Sequence, residues 1–120
     1  MSINAIRPRR GEVWLANFEP TLGDEIRKVR PAVVISSDAV GRLAIKLVAP
    51  ITDWKENFSS NIWHVMVGPT ASNGLTKVSA VDALQVRSFS FQRFIRKLGY
   101  FSPAAMEEVA AAVAAVIEFI

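Results

Sequence analysis

The chain has 120 residues, 51% of them hydrophobic, with no cysteine and a single histidine. That length bounds it to one domain, residues 1–120, with apolar surface enough for a core, and the missing cysteine excludes disulfide frameworks, thiolate zinc sites and cysteine nucleophiles. The formal charge is +3, yet all 14 bases precede residue 103 against 8 acids there, a balance of +6 that suits a phosphate backbone or an acidic protein partner.

The start, "MSINAIRPRRGEVW", lacks the apolar run of a signal peptide, and no stretch approaches the ~20 apolar residues of a membrane span. The expectation is a cytoplasmic protein with no membrane contact. Strand-like runs then follow at short spacing: 12–18 (EVWLANF), 32–36 (AVVIS), 43–51 (LAIKLVAPI), 62–67 (IWHVMV) and 79–86 (SAVDALQV). Turn formers separate them, at Pro20 and Gly23, Gly41, Pro50, Gly68-Pro69 and Asn73-Gly74. This rhythm predicts a mainly β fold, a small, strongly bent antiparallel barrel. "AVVI" is apolar on both faces, as a central strand covered on both sides would be.

The last segment, "SPAAMEEVAAAVAAVIEFI", reads as a helix with Ser102 as N-cap and Pro103 in the first position. Met106, Val109, Val113, Val116 or Ile117, and Ile120 form a stripe that would lay the helix across the open end of the barrel, with a contact to a second subunit as a further use.

Residues 23–36, "GDEIRKVRPAVVIS", crowd five charges ahead of a strand. Arg30 precedes Pro31, which drives its backbone extended, so the strand fixes where its guanidinium points. It either grips a phosphate or pairs with Asp24 or Glu25. Thr52 ends another strand and opens "TDWKENFSSN". Its hydroxyl is either a donor to phosphate or a turn residue. Trp54, Lys55 and Phe58 supply the aromatic and cationic groups that single-stranded nucleic acid uses, or they are lids on the core. His64 is a strand histidine with a packing or surface role, or a titratable group of a site. Arg9, Arg10, Arg93, Arg96 and Lys97 are solubilising charges or part of a nucleic-acid track.

Three segments occurring together, "RRGEVW", "EPTLGDEIRKVRPAVVIS" and "VAPIT", followed by "VSAVDALQVRS" and the apolar helix, resemble the MazF/PemK family of type II toxin–antitoxin toxins across nearly the whole chain. The resemblance implies an SH3-like barrel with a C-terminal helix, a homodimer, a cognate antitoxin as protein partner, and a metal-independent, cofactor-free endoribonuclease cutting single-stranded RNA. It implies catalytic roles for Arg30, Thr52 and Glu25. Arg27, Lys28, Trp54, Lys55, Ser79, Gln85 and Arg87 are then the substrate-binding candidates. The family's acid before the glutamine is replaced by Leu84, and Asp82, two residues earlier, would share its strand face and can partly stand in. Two alternatives stay open: a non-catalytic toxin of the same fold that acts by protein contact on DNA gyrase, and a family member weakened by Leu84.

Overall fold

The computed structural model describes residues 7–40 and 42–119. Seven strands and one helix follow in order: β1 (Glu12–Asn17), β2 (Val29–Val34), β3 (Ile45–Asp53), β4 (His64–Val67), β5 (Ser79–Asp82), β6 (Arg87–Ser90), β7 (Phe94–Tyr100) and α1 (Pro103–Val116). All ladders are antiparallel, in the order β4-β5-β3-β2-β1-β7. The nine-residue β3 makes this possible: one edge serves β2, while the other is divided between β6 at Ile45–Val48 and β5 at Ile51–Asp53. The mainly β fold with its C-terminal helix is as expected, although the ladder stays open, with β4 and β7 at the two ends of its order and β6 paired on one side only among the described residues.

Alternate residues of the central strands feed two cores. Val13, Val33, Ala49 and Ile51 point to one, where Met106, Val109 and Ala112 of α1 cover them. Trp14, Ala16, Ala32, Val34 and Val48 point to the other, filled by Phe18, Phe89 and Phe94. The doubly apolar "AVVI" is therefore a strand buried on both faces, and burial of this kind stabilises each Val or Ile by roughly 1.5–3 kcal/mol.

The helix starts as its sequence indicates: the Ser102 hydroxyl accepts the Ala105 amide at 3.1 Å, and Pro103 occupies the first turn, where its missing N–H is not needed. It ends at Val116, so Ile117 falls past the stripe and is exposed. Ile120 and the turn expected at Gly41 lie outside the described residues.

Two sequence expectations need correction. The run 79–86 is not one strand: Asp82 ends β5, and its Oδ1 accepts the amides of Leu84 (3.0 Å) and Gln85 (3.2 Å), turning the chain before β6. Leu84 thus sits on a turn, and Asp82 is buried instead of sharing a strand face with it. A side chain that bonds its own downstream amides competes directly with strand continuation. The second is β7, a seven-residue strand unannounced by the sequence because its exposed positions include both Ile95 and the bases Arg96 and Lys97, which hide the alternation.

Candidate active site

The "RRGEVW" segment holds its end of the sheet in place. Gly11 turns with φ +90°, and Glu12 Oε1 accepts from the Arg9 amide and the Trp14 indole, both at 2.9 Å, while Oε2 meets Lys97 Nζ at 3.0 Å. Burial by itself would raise the Glu12 carboxyl. The Arg9 amide, Trp14 and Lys97 together more than offset it and hold the group below its ordinary 4.5.

From β1 the chain enters the loop that carries the charge cluster. The loop is tied at both ends, because Phe18 N donates to Lys28 O at 2.9 Å and Lys28 N donates to Glu19 Oε2 at 2.9 Å. Lys28 is left-handed (φ 74°), and the next residue begins β2. Arg30 is the second residue of that strand, paired with Ala16. Its Nε donates to Arg27 O at 3.1 Å, and among the described residues no carboxylate lies within ion-pair distance. The outer edge of the guanidinium is thus left for a bidentate partner. The ion pair with Asp24 or Glu25 considered from the sequence does not form.

Thr52 joins it from β3. The β2–β3 register ends at Ala32–Pro50, two residues short of Arg30 on one strand and of Thr52 on the other. Both line a cleft of about 300 Å³ with Pro31, Asp53, Lys77, Ser79 and Arg96. The Thr52 hydroxyl has no hydrogen-bond partner among the described residues, whereas Ser79 Oγ is engaged with Lys77 O at 2.9 Å. Asp53 meets Lys77 at 3.0 Å and is the one carboxylate lining this cleft among the described residues. Three cations face one acid.

The other candidates sit elsewhere. Glu25, Gln85 and Arg87 line a second, larger cavity of about 870 Å³ with Leu22, Asp24 and Leu84. Glu25 Oε1 accepts the Leu22 amide at 2.7 Å, closing its own turn. Gln85 takes the Ile26 amide at 2.6 Å and gives its own amide to Asp24 O at 3.2 Å. Arg87 donates to Phe18 O at 3.2 Å and lies 5.2 Å from the Phe89 ring centre. These three side chains brace the loop. Arg27 and Lys28 are exposed on it.

Trp54 and Lys55 leave the cleft with the chain after Thr52. Trp54 meets Phe58 edge-on at 5.8 Å, and Phe58 stacks flat on His64 at 3.8 Å. Asn61 Nδ2 donates to His64 Nδ1 at 3.1 Å, which places the ring proton on Nε2, 3.6 Å from Asp82 Oδ2. With 8% of its side chain exposed, His64 is a packed residue joining the loop after Thr52 to the Asp82 turn. Desolvation lowers its pKa below 6.5, and the Asp82 charge opposes this only in part. A folded state that binds the proton less readily than the unfolded chain keeps its full stability above pH 6.5 and loses it as pH falls from there toward the folded value. The urea midpoint is therefore expected to drop between pH 7.5 and 5.5, and to drop less in His64→Gln; equal slopes in the two proteins would exclude His64 as the source.

Arg96, Lys77 and Asp53 are cleft residues that sequence reasoning did not place there. Only recognition of β7 as a strand beside β1 would have brought Arg96 in.

The model of PemK-like, MazF-like toxins of type II toxin–antitoxin systems matches residues 9–117. This chain belongs to that family. Within it, the chain is 32% identical to endoribonuclease MazF9 of Mycobacterium tuberculosis, over 84% of this chain and 88% of the relative. Two solved structures are similar in fold. The crystal structure of MazF from Deinococcus radiodurans superposes with a TM-score of 0.79 at 24% identity, covering 94% of this chain and 98% of the other. An endoribonuclease in complex with its cognate antitoxin from a mycobacterial species gives 0.74 at 20%, covering 94% and 97%. In this PemK/MazF-like chain the "RPAVV" and "PIT" segments are thus the ends of two adjoining strands that bring one arginine and one threonine to a single cleft.

Proposed function

We propose that this toxin-family chain is an endoribonuclease that cuts single-stranded RNA without a metal ion, acting in the cytoplasm as a homodimer and silenced by a cognate antitoxin. The observation that carries the reading is the meeting in one cleft of Arg30 and Thr52, the first without a carboxylate partner and the second without a hydroxyl partner among the described residues. The 32% identity to an endoribonuclease over most of both chains supports the activity. The likeness to an endoribonuclease with its antitoxin supports the partner.

The reaction places the RNA 2′-hydroxyl in line with the adjacent phosphorus. A bond forms from O2′ to phosphorus, the bond to O5′ breaks, and negative charge grows on the non-bridging oxygens on the way. A guanidinium held at Nε offers that charge two parallel donors without having to reorganise, and Thr52 adds a third. Arginine stays protonated, so its part is charge stabilisation. Glu25 lines the other cavity and is held there by the Leu22 amide, so the 2′-hydroxyl proton passes to solvent, and the leaving O5′ takes a proton from solvent as it departs. Arg27, Lys28, Lys55 and Arg87 attract the strand electrostatically, and Trp54, Ser79 and Gln85 serve as further contacts to it.

The test is to incubate the purified protein with a long mixed-sequence RNA in EDTA and map the ends. The expected products carry 2′,3′-cyclic phosphate and 5′-hydroxyl ends at a recurrent short sequence. Intact RNA, or cleavage that needs an added divalent ion, would overturn the reading. Intact RNA together with inhibition of gyrase would replace it by the contact-toxin alternative.

A further inference from the structure

The cleft contains a second arginine that the proposed reaction leaves without a task. Arg96 lies on β7 and pairs with Leu15 of β1, while Arg30 on β2 pairs with the next β1 residue, Ala16. The two arginines therefore flank β1 from opposite sides at nearly the same level. Two inter-strand spacings place their backbones roughly 10 Å apart, and both residues line the same cleft.

Neighbouring cations of the barrel are already committed. Arg93 donates to the carbonyls of Asn17 and Glu19, Arg87 to that of Phe18, Lys97 pairs with Glu12, and Lys77 with Asp53. Arg96 has neither a hydrogen bond nor an ion pair among the described residues, and it is exposed. Keeping two unpaired guanidinium groups on one small cleft costs like-charge repulsion, with Asp53 already neutralised by Lys77. An anion between or across them removes that cost. A single reacting phosphate occupies Arg30; a polymeric substrate necessarily brings others.

We propose that Arg96 binds a second, non-reacting phosphate of the same RNA strand, so that the cleft grips the strand at two points across β1. This rests on the ribonuclease reading for the name of its ligand, but not for its test. Arg96 is a substrate-binding residue in this scheme, and its loss weakens capture of the strand without altering the stabilisation of the reacting phosphate.

The experiment uses the full chain and a fluorescent, mixed-sequence 2′-O-methyl RNA, which lacks the nucleophile and cannot be cut. Binding is titrated between 50 and 200 mM salt, a range over which each lost contact to a single strand flattens the slope of log K against log[salt] by about 0.7. Arg96→Ala is expected to show that loss and Arg96→Lys to retain the slope. In cleavage of unmodified RNA, Arg96→Ala should raise KM about tenfold and leave kcat within about twofold. An unchanged salt slope in Arg96→Ala, or a fall in kcat as large as that in KM terms, would overturn the proposal. If the wild type binds the 2′-O-methyl strand with the full slope but cuts no RNA, the ribonuclease reading fails while the Arg96 proposal stands. If it does not bind, both fall.

Discussion

Arg30→Ala is expected to lower kcat for RNA cleavage by about 10²–10³-fold, the usual effect of removing one fixed donor from a developing oxyanion. The folded state should persist. Arg30 is half-buried and makes one hydrogen bond to the Arg27 carbonyl, so truncation removes about 0.5–1.5 kcal/mol at most. Arg30→Lys separates charge from geometry, because an ammonium keeps the cation and loses the fork. An intermediate rate is expected for it. Single-turnover cleavage at saturating RNA, alongside thermal melts, decides the matter: a near-normal rate in a folded Arg30→Ala protein would move the reaction to another part of the surface.

Asp82→Ala should cause the largest loss of stability among the polar positions described here. The carboxylate is buried, accepts the amides of Leu84 and Gln85, and faces His64 Nε2 at 3.6 Å. Alanine leaves two amides without their acceptor, which costs about 2–4 kcal/mol and lowers the melting temperature by on the order of 10 °C in a domain of this size. Asp82→Asn keeps an acceptor oxygen and should lose less than half as much. The consequence extends to the loop bearing Glu25, because Gln85 leaves the Asp82 turn to hold the Ile26 amide and the Asp24 carbonyl. Melting of Asp82→Ala within a degree or two of wild type would show that the turn keeps its shape without the carboxylate.

The legible parts of the sequence were those whose physics is local. Ser102-Pro103 announced the helix start through a cap and a proline that needs no amide partner, and both act as expected. "AVVI" announced a strand covered twice, and the two cores on either side of it account for each residue. The segment 79–86 misled because Asp82 looks like an ordinary polar position of an alternating strand. Nothing within eight residues reveals that its carboxylate folds onto its own chain and against His64. The strand β7 was hidden by Arg96 and Lys97, whose roles depend on β1 lying alongside.

Function divides along the same line. Composition, turn spacing and the joint occurrence of three motifs determined a small basic β domain of a toxin family and pointed to Arg30 and Thr52, since those signals are carried by neighbouring residues or by pattern. Tertiary structure decided which groups share a cleft. It placed Arg96, Asp53 and Lys77 beside Arg30 and Thr52, and set Glu25, Gln85 and Arg87 around another cavity. Residues 66 positions apart in the chain, Arg30 and Arg96, become neighbours only when both their strands pair with β1, and no local preference encodes which strand pairs with which.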